Sequence, residues 1–135
     1  MADARKIRTG RHCVFDLHAH LVFVTRCRGR IFSGRHLQTL ERLFRKVCED
    51  FEAELVGFEG GSDHVRLAVR YPPKVALARL VNSLKGASSR KLKQHHPELI
   101  RSAYLKNALW SPSYYAGSLA EPPREAIRRY IEQQR

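Results

Sequence analysis

Three groups of side chains in this sequence have types and spacings that could do chemistry. The first is Ser62-Asp63-His64-Val65-Arg66-Leu67. On an extended strand alternate side chains share a face, so His64 and Arg66 project together. An imidazole there can ligate a cation, whereas a guanidinium holds a fixed charge and has no lone pair to give; a hydrogen-bonded surface histidine is the plain alternative. The second group is Tyr130 and Gln134, four apart in Ala126-Ile127-Arg128-Arg129-Tyr130-Ile131-Glu132-Gln133-Gln134. On a helix they stand on one face about a turn apart. A phenol can be a nucleophile and a carboxamide oxygen a ligand, although the stripe Ile127, Tyr130, Ile131, Gln134 would serve packing equally well. The third is Asp16, His18 and His20, a D-x-H-x-H stripe that could hold a metal or arise from simple alternation.

These groups need elements to position them. Cys13 to Thr25 (CVFDLHAHLVFVT) reads as a strand with Phe15, Leu17, Ala19, Leu21 and Phe23 on one face and Asp16, His18 and His20 on the other. An Arg/Gly loop follows over 26–34. Arg35 to Phe51 places Leu37, Leu40, Phe44, Val47 and Phe51 at helical spacing. Ala53 to Glu59 is a second strand, and Gly60-Gly61-Ser62-Asp63 a turn cluster. His64 to Tyr71 alternates as a third strand. Pro72-Pro73 is expected to open a second helix whose distal half is basic, with Lys85, Arg90, Lys91 and Lys93. Ser113 to Leu119 reads as a fourth strand carrying Tyr114 and Tyr115, and Pro122-Pro123 opens a last helix. The order predicts an α+β fold: a ferredoxin-like, RRM-like βαββαβ antiparallel sheet with helices on one face, plus a C-terminal helix carrying the tyrosine. In that topology the first and third strands are central neighbours.

The chain has 135 residues and a net charge of +12, with 25 Lys and Arg against 13 Asp and Glu. That imbalance attracts polyanions, chiefly nucleic acid, through phosphate neutralisation and counterion release. Residues 1–12 read as a flexible basic arm and 13–135 as a single domain. No apolar run reaches the roughly 18 residues of a membrane span, and the N-terminus carries no signal-peptide pattern. Cys13, Cys27 and Cys48 are odd in number without CxxC spacing, which predicts a reducing, cytoplasmic setting.

Five stretches, taken in order, carry a resemblance that covers nearly the whole chain: His20-Leu21-Val22-Phe23-Val24-Thr25 before a basic loop, Asp63-His64-Val65, Leu84-Lys85-Gly86-Ala87-Ser88-Ser89-Arg90, Leu109-Trp110-Ser111-Pro112-Ser113-Tyr114, and Tyr130-Ile131-Glu132-Gln133-Gln134. The chain resembles the single-tyrosine HUH transposases of bacterial insertion sequences, the IS200-like group. The resemblance implies that Tyr130 is the nucleophile, forming a 5′-phosphotyrosine link and leaving a free 3′-OH. It implies His64 and Gln134 as ligands of Mg²⁺ or Mn²⁺. It implies single-stranded hairpin DNA as substrate, and a homodimer whose C-terminal helix serves the partner subunit's site. Lys85, Arg90, Lys91 and Lys93 would cradle the DNA backbone, while Trp110, Tyr114 and Tyr115 are read as core rather than as stacking platforms.

The sequence departs from the family pattern where His-hydrophobic-His becomes His64-Val65-Arg66. Arginine cannot ligate a metal, and its charge opposes a cation on the same face. Cleavage is therefore expected to be impaired or lost unless Arg66 contacts the scissile phosphate or His18 and His20 complete the site. The alternative is a catalytically inactive single-stranded nucleic-acid-binding protein on the same fold. An RNA-recognition motif would want aromatics on the central strands, and these carry Asp16, His18, His20, His64, Arg66 and Arg70 instead. A remoter alternative is a metal-dependent hydrolase on Asp16, His18 and His20.

Overall fold

Alternation of β-branched and long apolar residues over two seven-residue runs builds the centre of the molecule. In the computed structural model, which describes residues 7–10, 13–101, 108–118 and 124–134, these runs are β3 (His18–Val24) and β5 (His64–Arg70). They pair antiparallel, with Val24 opposite His64, Val22 opposite Arg66 and His18 opposite Arg70. β4 (Glu54–Gly60) joins the outer edge of β5, and β6 (Tyr115–Gly117) joins β3. The four-stranded order is β4-β5-β3-β6, all antiparallel, which is the ferredoxin-like arrangement with the expected central pair.

The helices divide between the two faces. α1 (Gly34–Asp50) and α2 (Leu77–His95) cover one of them. Their buried Leu40, Phe44, Leu80 and Leu84 pack with Leu21, Phe23, Val65 and Leu67. On the other face α3 (Arg124–Gln133) lays Ile127, Tyr130 and Ile131 over Val22 and Val24 with Tyr115. This explains why β3 is apolar on both sides near its C-terminal end: its two faces meet different helices.

Two sequence expectations change, and a third falls mostly outside the described residues. The single strand expected over Cys13–Thr25 is broken at Asp16-Leu17: β2 (Val14–Phe15) leaves the main sheet to pair with β1 (Arg8–Thr9). The break falls where Leu17 is left partly exposed, so alternation continued past the point where a neighbour strand was there to receive it. The basic arm expected over 1–12 lies outside the described residues at 1–6 and 11–12, and its described part is β1 with its turn. Finally, α2 begins at Leu77 rather than at Pro72-Pro73. Those prolines offer no amide donors, and the Val75 amide closes a turn on the Pro72 carbonyl before helical bonding starts from Ala76.

Among the described residues no helix is long and apolar enough to cross a membrane.

Candidate active site

The site is assembled from α2 outward. Trp110 is a core residue, edge-on to Phe23 and tilted against Phe32 and Phe44. Its indole Nε1 donates to Ser88 Oγ (2.9 Å), which in turn donates to the Lys85 carbonyl (3.1 Å). Ser88 is fully buried, so this bond satisfies two polar groups that water cannot reach. The Ser111 amide donates to the Val24 carbonyl (2.8 Å), docking the next residues along β3. The Lys85 ammonium then donates to the carbonyls of Ser111 (2.8 Å), Pro112 (3.3 Å) and Ser113 (3.1 Å). Burial pushes the Lys85 pKa down. The ammonium expected to face DNA therefore holds the 111–113 segment.

That segment meets the end of α3. Ser111 Oγ and Ser113 Oγ both donate to Gln134 Oε1, at 2.8 and 3.0 Å, and Tyr130 OH lies 2.7 Å from Ser113 Oγ. Gln134 Nε2 donates to the Tyr130 carbonyl at 3.3 Å. Tyr130 and Gln134 thus come together as the helical spacing predicts, with Ser111 and Ser113 as partners that spacing could not reveal. Burial of the Tyr130 phenol raises its pKa, and the hydrogen bond with Ser113 opposes that shift.

His64 stands across β3, opposite Val24. Its Nδ1 lies 2.8 Å from Asp63 Oδ1, and Arg28 Nε approaches the other carboxylate oxygen at 3.7 Å. An ionised carboxylate only accepts, so Nδ1 carries the proton and Nε2 keeps its lone pair for a ligand, as in metal sites whose histidines are oriented by a carboxylate. The ring also rests against Gly61, where a Cβ would come within 2.8 Å of His64 Cε1, which accounts for glycine in the preceding turn.

Arg66 shares the His64 face and pairs with Glu59 across the β4–β5 edge. With His20, Val22 and Ile127 this pair lines a cleft of about 260 Å³ beside α3. Of the cation ligands the sequence suggests, His64 keeps Nε2 open, Gln134 Oε1 accepts from Ser111 and Ser113, and Arg66 has no lone pair to give. Two protein ligands fit Mg²⁺, which keeps several waters and takes the rest of its shell from substrate phosphate. His18 cannot complete the set. It lies six positions along β3 from Val24, roughly 20 Å at about 3.3 Å per residue, and it is bonded to Asp16 Oδ1 at 2.6 Å. His20 is four positions from Val24, roughly 13 Å along the strand at about 3.3 Å per residue, and lines the cleft with Arg66.

Arg90 and Lys91 lie on the helix layer, lining a groove between α1 and α2 of about 480 Å³ with Lys46, Asn82 and Ser83. Lys93 is half-buried further along α2. The structure does not bring these three cations to the face that carries Tyr130.

Among the described residues one trio of His, Cys, Asp or Glu side chains is close enough to share a metal: His36, His96 and Glu98. Its hydrogen bonds argue against that use. The Ser33 amide donates to His36 Nδ1 (3.0 Å), so His36 carries its proton on Nε2 and donates to Glu98 Oε2 (3.0 Å). His96 Nε2 faces Thr39 Oγ1 (2.8 Å), whose own proton goes to the Arg35 carbonyl. The trio clamps the start of α1 to the segment after α2. The bond from His36 holds the Glu98 pKa down to about 2, while burial and the neighbouring His36 lower that of His96.

Known proteins resemble the chain over nearly its whole length. The family model described as IS200-like transposase matches residues 13–134. The ISDra2 transposase TnpA of Deinococcus radiodurans is 31% identical over 129 residues, covering 96% of this chain and 91% of that protein. The transposase for insertion sequence element IS200 of Salmonella typhimurium is 26% identical over 123 residues, covering 91% and 80%. A crystal structure of a protein from Deinococcus radiodurans R1 superposes with a TM-score of 0.86 at 31% identity, over 94% of this chain and 97% of that one. A REP-associated tyrosine transposase bound to a REP hairpin shares the fold at a TM-score of 0.53 and 13% identity, over 93% and 68%. With a family match over nearly its whole length, on a fold that seats a tyrosine helix against the sheet, the chain belongs to the IS200-like transposase family.

Proposed function

We propose that this protein cleaves and rejoins single-stranded DNA beside hairpin ends through Tyr130, with a rate held down by Arg66. The observation that carries the reading is the hydrogen-bonded group of Tyr130, Ser113 and Gln134 on one side of β3, with His64 presented by Asp63 on the other. The Tyr130 oxygen attacks phosphorus, the phenolic proton leaves to solvent, and the departing 3′ oxygen takes up a proton to become a free 3′-OH. The phosphotyrosyl ester conserves the energy of the broken bond, so rejoining runs the same exchange backwards without ATP. A bound Mg²⁺ or Mn²⁺, held by His64 and Gln134, would polarise the scissile phosphate and stabilise the developing charge. Arg66 cannot replace the missing ligand, but its guanidinium, released from Glu59, can pair with a phosphate oxygen.

Arg90, Lys91 and Lys93, on the helix layer away from Tyr130, supply phosphate contacts to the hairpin stem, while the single-stranded flank reaches the Tyr130 face; contacts to unpaired bases supply specificity. A homodimer fits the way α3 is held: Ile127, Tyr130 and Ile131 anchor it, and the same contacts form if α3 docks on a second copy. Free Cys13 and Cys48 suit the reducing cytoplasm.

The test is incubation with hairpin DNA carrying a single-stranded flank and Mn²⁺, read as a covalent adduct on a denaturing gel. A weak adduct, strengthened by Arg66→His and absent from Tyr130→Phe, is expected. The Arg66–Glu59 pair, which fills the second motif position with a charge couple, favours a second reading, a binding-only protein. That reading requires tight hairpin binding with no adduct from either the wild type or Arg66→His.

A further inference from the structure

We propose that Ser113 is the positioning residue of the Tyr130 nucleophile, an inference that rests on the role given to Tyr130 above. The direction of the hydrogen bonds follows from what each atom can do. Gln134 Oε1 only accepts, so the Ser113 hydroxyl proton goes to it, at 3.0 Å. Tyr130 O–H therefore donates into Ser113 Oγ, at 2.7 Å. A phenol proton fixed on the protein leaves the lone pairs of its oxygen directed away from Ser113, where an incoming phosphate can meet them. A free phenol rotor would present proton and lone pairs at random, and near-attack alignment is where orientation contributes to rate.

The same hydroxyl has a second role as the reaction proceeds. When the phenolic proton has left to solvent water, the Tyr130 oxygen can only accept. Ser113 then turns its O–H from Gln134 Oε1 to the phenolic oxygen, and Gln134 Oε1 keeps only the bond from Ser111. One rotation thus stabilises the attacking oxygen. In rejoining, the same O–H steadies the departing phenolic oxygen.

Ser113 is exposed but not loosely held. The Lys85 ammonium grips its carbonyl and those of Ser111 and Pro112, and Lys85 is itself tied by its own carbonyl through Ser88 to the buried Trp110. This chain gives a reason for Leu84-Lys85-Gly86-Ala87-Ser88 and Trp110-Ser111-Pro112-Ser113 to occur together: one stretch aims the other at the end of α3.

The test measures single-turnover adduct formation at saturating hairpin DNA for wild type, Ser113→Ala, Ser113→Thr and Tyr130→Phe, with hairpin affinity measured separately. Ser113→Ala is expected to lower the maximal rate about 10- to 100-fold, the size of a lost hydrogen bond to a charged atom. Affinity stays unchanged, and Ser113→Thr restores most of the rate. A residue that merely packed would not show rescue by the hydroxyl of threonine. Unchanged rates in Ser113→Ala, beside a wild-type adduct that Tyr130→Phe abolishes, would overturn the positioning role alone. Absence of any wild-type adduct would overturn the strand-cleavage reading and this role with it. Because Ser113 is exposed, the alanine variant is expected to fold, which far-UV circular dichroism checks.

Discussion

Replacing Lys85 by methionine keeps an apolar side chain of similar length but removes the ammonium, which holds residues 111–113 and lies 5.9 Å from the ring centroids of Phe23 and Tyr114. The cost follows from the three acceptors. The Pro112 and Ser113 carbonyls are exposed and the Pro112 bond is long at 3.3 Å, so water replaces most of what those two contribute. The Ser111 carbonyl, partly buried and bonded at 2.8 Å, loses a charge-assisted partner. Against that loss, methionine no longer has to keep a charge in a half-buried place. The net is about 1–2 kcal/mol of stability, read as a shift in urea midpoint at constant slope. The effect on cleavage is larger, because displacement of the loop by about 1 Å misaligns Ser113, Tyr130 and Gln134, and such misplacement costs roughly 100-fold. Hairpin binding should keep its affinity and salt dependence. In Lys91→Met, loss of one phosphate contact should flatten the salt slope by about one. The reasoning is refuted if Lys85→Met weakens hairpin binding and flattens the slope as Lys91→Met does, while the adduct rate per bound complex stays at the wild-type value.

Glu98 titrates near 2 in the folded protein against an ordinary 4.5, so its contribution is present above pH 4.5 and is lost as pH falls towards about 2. Urea unfolding should therefore show Glu98→Gln with a smaller fall in stability than wild type between pH 4.5 and 2. Phe44 is fully buried and its ring contacts Phe23, Phe58 and Trp110. Phe44→Ala should lower stability by about 3–5 kcal/mol, measured by urea or thermal denaturation. Burial pushes the Cys48 thiol up to about 11, whereas Cys13 is exposed. Iodoacetamide at pH 8 should label Cys13 in the native protein and reach Cys48 only after unfolding, as peptide mass mapping would show.

The sheet could be read from residue pattern because strand alternation and burial have one cause: β3 and β5 pair as their alternation required, and His64 shares a face with Arg66. Tyr130 and Gln134 were legible for a similar local reason, one turn of helix. What stayed hidden was non-local. Alternation in Cys13–Thr25 carries no mark of where the neighbouring strand ends, so the break at Asp16-Leu17 went unseen, and His18 looked closer to His64 than the register allows. Lys85 counted as one cation among many, since charge does not say whether an ammonium faces solvent or a row of carbonyls. Ser111 and Ser113 could be quoted as a landmark but not given a role, because their partners Tyr130 and Gln134 lie 17 to 23 residues away, on α3 and just past its end. The clamp of His36 to His96 and Glu98 spans sixty residues for the same reason.

The most direct test of strand cleavage by Tyr130 is to find where the DNA is attached. Protein incubated with hairpin DNA and Mn²⁺ would be digested with nuclease and trypsin and the nucleotide-bearing peptide sequenced by mass spectrometry. The account predicts a 5′-phosphotyrosyl nucleotide on Tyr130 and on no other residue. A nucleotide linked to Tyr114, Tyr115 or a serine, or DNA cut with no covalent link to the protein, would contradict it.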